Sequence, residues 1–334
     1  MTTNLGINGF GRIGRLVFRM AMESPDVRVL AINDIAPLDN LVYLLRHDSV
    51  QRPPQVDIEA RGDRLVWDGE EIPYSARKHP SELPWGALDV DVAVEATGRF
   101  TKREDASGHL EAGAKRVLLT APGKGDDVTL CMGVNEDAFR PDEHVIISNA
   151  SCTTNCLAPA AKVLDDAFRI VTGFLTTIHA YTSTQTLVDG PSKKWRRGRA
   201  GALSMIPTTT GAAVATTKVL PHLDGKLDGL AIRVPVACGS IIDFVAQTER
   251  EVTVDTVNQA FRDAANSDAL RGILDVSDDQ LVSQDVIGTE TSALVDAPST
   301  MVLGSHTVKV LAWYDNEWAY ARRVVELAVR IGAE

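Results

Sequence analysis

A chain of 334 residues, 44% hydrophobic and 24% charged, has the composition of an ordinary globular protein and exceeds what one hydrophobic core usually holds. Thirty-four basic against forty-five acidic residues give a net charge of −11, which argues against nucleic acid or an anionic membrane as the main partner. No apolar stretch approaches transmembrane length and the first residues lack a basic n-region and apolar h-region, so no membrane association and a cytoplasmic location are expected.

Over the first 150 residues short β-rich apolar runs alternate with helix-like segments. Strands are predicted at 5–8, 27–33, 90–95, 116–119 and 145–148, and helical spacing occurs at 13–22 and 104–112. That order predicts an α/β domain over 1–150, a parallel sheet covered by helices. From about residue 170 the runs at 173–180, 230–236, 240–248 and 308–314 are longer and alternate, interrupted by a Thr-, Gly-, Lys- and Arg-rich loop from 182 to 207. These predict a second, α+β domain over 151–316. The last segment, 320–331, has helical spacing, and no internal repeat or low-complexity tract is present.

The first chemical motif is Gly9-Phe10-Gly11-Arg12-Ile13-Gly14, placed after the first strand and at the start of the first helix. A dinucleotide pyrophosphate needs glycines there for the turn and for close backbone approach, and the helix start offers it free N–H groups. The second strand ends at Asn33-Asp34, twenty residues beyond Gly14, where a carboxylate can take ribose hydroxyls. A glycine-rich turn with a capping aspartate would explain each part separately, but not strand, turn, helix, strand and acid together. Asp34 also repels a 2′-phosphate, so NAD is expected over NADP.

The second motif is Ser148-Asn149-Ala150-Ser151-Cys152-Thr153-Thr154-Asn155-Cys156. Its polar surroundings are wrong for a buried structural cysteine, and a strand-to-helix junction would lower the Cys152 pKa through helix N–H groups and the dipole. Of seven histidines, His179 is the best partner, because 176–179 ends an apolar run that a strand could carry back to Cys152. A lone histidine is more often structural, and Cys156, one helical turn on, reads as packed under the helix. Cys131, Cys152, Cys156 and Cys238 lack metal-site spacing, so free thiols and no metal are expected. The stretch Lys193-Lys194-Trp195-Arg196-Arg197-Gly198-Arg199 fits either a solvated loop or, with Thr208-Thr209-Thr210-Gly211 nearby, a phosphate-binding wall. Arg233, flanked by apolar residues, needs an anionic partner if it points inward.

Over nearly its whole length the sequence resembles phosphorylating glyceraldehyde-3-phosphate dehydrogenase, through INGFGRIGR, EATGRFTKREDA, HLEAGAKRVLLTAPGK, SNASCTTNCLAP, PTTTGAA and KVLAWYDNEWAY. The resemblance implies a Rossmann-type dinucleotide-binding domain, a catalytic domain with a mainly antiparallel sheet, a terminal helix at about 317–334 that returns to the first domain, and a homotetramer. It implies Cys152 as nucleophile and His179 as its activating base. It assigns the anion positions to Thr182, Arg197 and Arg233, and the surroundings of attacking phosphate and reacting carbon to Ser151, Thr153, Thr210 and Gly211. Dinucleotide contacts fall on Arg12, Ile13, Asp34, Arg77, Thr120 and Asn316, the last at the nicotinamide amide. The implied substrates are a phosphorylated aldehyde and inorganic phosphate, with NAD as cofactor, and the implied path runs through a thiohemiacetal and a thioester to an acyl phosphate.

Two positions depart from the family pattern. Thr184 stands where many members have aspartate, and 236–239 reads Val-Ala-Cys-Gly where Thr-x-Asn-Val is common. Three other readings compete with this one. An erythrose-4-phosphate dehydrogenase shares the cysteine motif but commonly departs from the phosphate-site and Asn-Glu patterns kept here. A redox-inert dinucleotide-binding regulator has no need of Cys152, His179, Arg233 and Asn316 together, and a cysteine hydrolase has no need of the glycine motif or Asp34.

Overall fold

The computed structural model describes residues 2–333, which divide into two compact units. One runs from the amino terminus to Leu130, takes in Glu136–Ala150 and ends with the residues from Ala321 onward; the other comprises Cys131–Asn135 and Ser151–Tyr320.

In the first unit β1 (Thr3–Asn8), α1 (Arg12–Glu23), β2 (Val27–Asn33), α2 (Leu38–Arg46) and the strands β3 (Ile58–Arg61), β4 (Arg64–Trp67) and β5 (Glu70–Ser75) are followed by β6 (Val92–Glu95), α3 (Arg103–Glu111), β7 (Arg116–Leu119), β8 (Val128–Thr129) and β9 (Ile146–Ser148). They form a nine-stranded sheet in the order β3-β4-β5-β2-β1-β6-β7-β9-β8. From β5 to β8 every neighbouring pair is parallel, whereas β3-β4 and β4-β5 are antiparallel. All four residues of β6 are buried, which is why such strands read as continuous rather than alternating apolar runs. Sequence spacing missed α2 and the β3–β5 meander. In segments such as Ile-Glu-Ala-Arg only isolated apolar residues mark a strand, and four positions are too few for an alternation to register.

The second unit opens with α4 (Cys152–Phe168) and β10 (Ile170–Ala180), then β11 (Ile206–Thr209), α5 (Ala212–Val219), β12 (Leu227–Val234), β13 (Ser240–Thr248), α6 (Val254–Ala265), β14 (Leu274–Ser277), β15 (Ala293–Asp296), β16 (Met301–Leu303) and β17 (Thr307–Tyr314). Its eight-stranded sheet runs β11-β12-β10-β13-β17-β15-β14, with β16 paired to β17. Only β10-β12 and β14-β15 are parallel, so the sheet is mainly antiparallel. The segment 182–207 is not wholly loop: Trp195–Gly198 forms a helical turn, and β11 begins at Ile206.

Helix α4 is buried over most of its surface, including its Thr153, Thr154 and Asn155, and its Ala158, Ala160 and Ala161 are fully buried. Such a helix belongs to a core interior. Leu157, Leu164 and Phe261 share that core with Ile242, Phe244, Val308 and Val310, each such side chain contributing about 1.5 to 3 kcal/mol by leaving water. This core fixes the start of α4, where Cys152 stands. The last helix, α7 (Trp318–Gly332), belongs to the first unit from Ala321 on, and there Arg116 Nη1 donates to the Ile331 carbonyl at 2.5 Å. No helix among the described residues is long and apolar enough to cross a membrane.

Candidate active site

Ser151 caps α4: its backbone is extended and its hydroxyl accepts from Thr154 N at 3.1 Å. Cys152 is therefore the first helical residue, where backbone N–H groups have no partner within the helix. One residue before the cap, the buried Ala150 holds φ at 53°, a left-handed conformation that costs a non-glycine residue about 1 to 2 kcal/mol. Strand β10 ends at Ala180, and its register with β12 sets His179 opposite Arg233.

Cys152 Sγ lies 3.4 Å from His179 Nε2. On the other side of the ring, Nδ1 is 2.7 Å from the Ala180 carbonyl oxygen, a separation that needs the proton on Nδ1. That tautomer leaves the Nε2 lone pair facing the thiol. Arg233 Nη1 lies 3.0 Å from the same Nδ1, 2.9 Å from the Ala180 carbonyl and 3.3 Å from Thr182 Oγ1; with the proton on Nδ1, its own two hydrogens go to the two oxygens. The His179 ring meets Tyr314 edge-on at 6.0 Å, and Tyr314 Oη bonds both Thr153 Oγ1 and Thr177 Oγ1 at 2.9 Å.

The expectation that the helix start lowers the thiol pKa needs correction. Burial is the largest influence on Cys152 and pushes its thiol up, with Arg233 and the Thr153 and Cys152 N–H groups opposing. Burial, then Arg233, pushes the His179 imidazole down to about 3. Each group thus resists ionising alone. Proton transfer from Sγ to Nε2 creates both charges together, and at 3.4 Å opposite charges attract by about 5 kcal/mol at an effective dielectric of 20. The pair is the ionising unit.

Around this pair the cations outnumber the anions. Arg197 Nε donates to Thr208 Oγ1 at 3.0 Å and Lys194 Nζ to Thr209 Oγ1 at 2.6 Å. Burial and the neighbouring Arg197 and Arg233 lower the pKa of Lys194, the signature of positive groups crowded together. Thr182 and Thr184 share a hydroxyl hydrogen bond at 2.9 Å, so position 184 adds a neutral group and no carboxylate here. Thr210 accepts from Ala212 N at 3.1 Å, and Gly211 is the residue before α5. The Thr153 hydroxyl shares a hydrogen bond with Tyr314 Oη at 2.9 Å, and the residue is buried.

In the first unit a cleft of about 230 Å³ is lined by Gly9, Gly11, Asp34 and Arg77 of the expected set, together with Asn8, Asn33, Ile35, Lys78, Ala96, Thr97, Arg99 and Phe100. Gly9 has φ 95°, and a Cβ on Gly14 would strike the Gly9 carbonyl. Asp34 accepts from Phe10 N at 2.6 Å and from Ala36 N at 3.0 Å. Arg12 lies outside the cleft lining and is paired with Asp48 at 2.7 Å. Ile13 is half-buried in the first turn of α1, and the Thr120 hydroxyl is spent on the Glu95 carbonyl at 3.0 Å.

Sequence reading missed the polar chain beneath this cleft. Trp85 Nε1 donates to His109 Nδ1 at 2.9 Å, and His109 Nε2 donates to Glu95 Oε2 at 3.1 Å. Asn8 Nδ2 also donates to Oε2, at 2.6 Å, while Thr97 gives both its N–H and its hydroxyl to Oε1. Asn8 Oδ1 accepts from Asn33 Nδ2 at 2.8 Å, and Asn33 Oδ1 accepts from Arg77 N and Ser75 Oγ, each at 2.8 Å. Equally missed were Tyr314, Thr177 and Ser240; Ser240 Oγ accepts from Ala180 N at 3.1 Å and donates to Asn316 Oδ1 at 2.8 Å.

Against protein-family models, residues 3–103 match the NAD binding domain of glyceraldehyde 3-phosphate dehydrogenase and residues 151–316 match its C-terminal domain. The chain belongs to the glyceraldehyde-3-phosphate dehydrogenase family. The glyceraldehyde-3-phosphate dehydrogenase of Geobacillus stearothermophilus is 52% identical over 334 residues, covering 100% of this chain and 99% of that protein. Two Bacillus subtilis proteins, glyceraldehyde-3-phosphate dehydrogenase 1 and 2, are 51% and 50% identical, over 99% and 100% of this chain and 98% of each of theirs. The family is one of NAD-dependent oxidoreductases, and the cleft fits that cofactor. The start of α1 has no side-chain cap, and the Cβ position of Gly11 is open, so a pyrophosphate can approach the backbone there.

Proposed function

We propose that the chain is a phosphorylating, NAD-dependent glyceraldehyde-3-phosphate dehydrogenase of central carbon metabolism, with Cys152 as nucleophile and His179 as its base. The observation that carries this reading is the 3.4 Å approach of Cys152 Sγ to a His179 Nε2 whose lone pair faces it, beside Arg233 and near Arg197. In this reading 1–150, with the helix from about 317, is the cofactor domain and 151–316 the catalytic domain. A cytoplasmic homotetramer is part of the proposal, and exposed apolar side chains at Leu187, Val188, Trp195, Leu203 and Met205 support assembly.

Cys152 passes its proton to His179 Nε2 and its sulfur adds to the aldehyde carbon. The carbonyl π electrons move to oxygen, where the Cys152 N–H stabilises the charge until the imidazolium returns its proton, giving a thiohemiacetal hydroxyl and a neutral His179. His179 then takes the hydroxyl proton as the C–H bond breaks with its electron pair. Bound NAD would supply the hydride acceptor; Gly9, Gly11, Asp34 and Arg77 would hold it, and Asn316 is the residue proposed for its nicotinamide amide. The resulting thioester is attacked by inorganic phosphate, the C–S bond breaks with its electrons on sulfur, and 1,3-bisphosphoglycerate leaves. Arg197, Arg233 and the threonines favour phosphate over water as the attacking group.

Rapid mixing with glyceraldehyde 3-phosphate and NAD, with and without inorganic phosphate, tests this directly. Without phosphate a burst of roughly one NADH per site should precede slow turnover, and phosphate should restore steady turnover. Arg233→Ala should lower kcat/KM by roughly ten- to a hundredfold through loss of a charge-assisted anion contact. Rapid steady turnover to the free acid without phosphate would overturn the phosphorylating assignment.

A further inference from the structure

The stretch 236–239 departs from the family pattern in sequence, and the fold gives it a function. Cys238 is buried, and its Sγ lies 3.0 Å from Asp315 Oδ1. The same oxygen accepts from Glu317 N and Trp318 N, both at 2.8 Å, while Oδ2 accepts from Gly288 N at 2.8 Å. Asp315 is 1% exposed and immediately precedes Asn316, so these donors fix the backbone that carries Asn316. On the other side of Gly239, Ser240 holds Asn316 Oδ1. Gly239 itself has φ 84°, and a Cβ there would strike the Ser283 carbonyl, so only glycine lets residues 238 and 240 flank Asn316's turn in this way.

We propose that Cys238 is a positioning residue: by donating its S–H to Asp315 it holds Asn316 with its amide N–H groups directed to the nicotinamide end of the cofactor. The donor must be a thiol, not a thiolate, since a second anion beside Asp315 would repel it. Burial and the charges of Asp315 and Glu317 push the Cys238 pKa up and keep the proton on sulfur. Asn316 Oδ1 is occupied by Ser240, which leaves its NH₂ as the free donor for a carboxamide oxygen. The inference rests on the reading of Asn316 as the nicotinamide contact.

The test compares NAD with ADP-ribose, which lacks the nicotinamide, by calorimetric titration of the full-length protein. Cys238→Ala should weaken NAD roughly three- to thirtyfold, the range for losing one buried hydrogen bond, and leave ADP-ribose within about twofold. Cys238→Ser, which keeps a donor, should restore NAD affinity to within about twofold of wild type. Equal weakening of both ligands, no weakening of either, or no rescue by serine overturns the proposal. Asn316→Ala separates the two layers: if it leaves the NAD to ADP-ribose ratio unchanged, the Asn316 reading itself fails. If it changes that ratio while Cys238→Ala does not, only the present inference fails. Should Cys238→Ala not fold, the infrared S–H band lost in Cys238→Ser decides. It should lie below that of a thiol in apolar solvent, and an unshifted band refutes the donor assignment.

Discussion

Glu95→Gln conserves shape and removes one charge, yet it should be among the most damaging single changes in the first unit. Glu95 is 2% exposed and receives four donors: two on Oε2, from Asn8 and His109, and two on Oε1, from Thr97. Glutamine must turn an NH₂ toward one of these pairs. Facing Asn8 and His109 is blocked at both ends of the chain. Asn8 cannot flip, because its oxygen serves Asn33, which is pinned by Arg77 N and Ser75 Oγ; His109 cannot change tautomer, because Trp85 Nε1 only donates. The NH₂ must therefore face Thr97, whose hydroxyl can rotate to accept but whose N–H cannot. One orphaned buried N–H costs about 1 to 3 kcal/mol, and conversion of charge-assisted bonds to neutral ones adds about 1 kcal/mol. A loss of about 3 kcal/mol in urea unfolding at fixed protein concentration is expected. NAD affinity should fall roughly tenfold, because Asn8 and Thr97 both line the cleft. A variant within 0.5 kcal/mol of wild type, as surface substitutions usually are, with unchanged NAD affinity would refute the fixed-polarity chain.

His179→Asn should move the pH midpoint of Cys152 alkylation upward, since burial pushes the lone thiol up and the imidazole no longer takes its proton; an unmoved midpoint would mean the two do not ionise as a pair. Peptide mapping must assign the label to Cys152. Asp34→Ala should narrow the catalytic preference for NAD over NADP by removing the half-buried carboxylate that lines the cleft, and an unchanged ratio would place the 2′ position elsewhere.

The sequence made the class of each sheet legible for a physical reason. β7 is buried from Val117 to Leu119, so its apolar run is continuous, while β2 sets exposed Arg28 between buried Val27 and Val29 before its buried end; observed and expected bounds coincide at 27–33 and 116–119. The meander β3–β5 carries few apolar residues per strand and left no such trace. Glycines were legible because a positive φ or an excluded Cβ is a property of the residue itself, as at Gly9 and Gly14. Glu95 and Tyr314 were not, because their roles come from partners far along the chain: Asn8 is 87 residues from Glu95, and Thr153 is 161 residues from Tyr314. The Cys152 pKa went astray in the same way, since a helix start is local but burial is tertiary.

The stretch at 236–239 joins both cases and shows how a departure from a family pattern can be read. Gly239 is a local requirement, set by its own φ and by the Ser283 carbonyl where a side chain would go. Cys238 is a distant one, because its acceptor lies 77 residues on. Any replacement for Cys238 must fit a buried site and must present a donor, since Asp315 gathers N–H groups from Gly288, Glu317 and Trp318 and offers no proton in return. An asparagine, common at this position in relatives, meets the donor requirement with an amide. A thiol meets it with less volume and leaves only a weakly accepting sulfur where an amide would leave a carbonyl oxygen. In this chain Cys238 and Gly239 act together: the thiol supplies a donor to the carboxylate beside Asn316, and the glycine lets the chain pass the Ser283 carbonyl to bring it there.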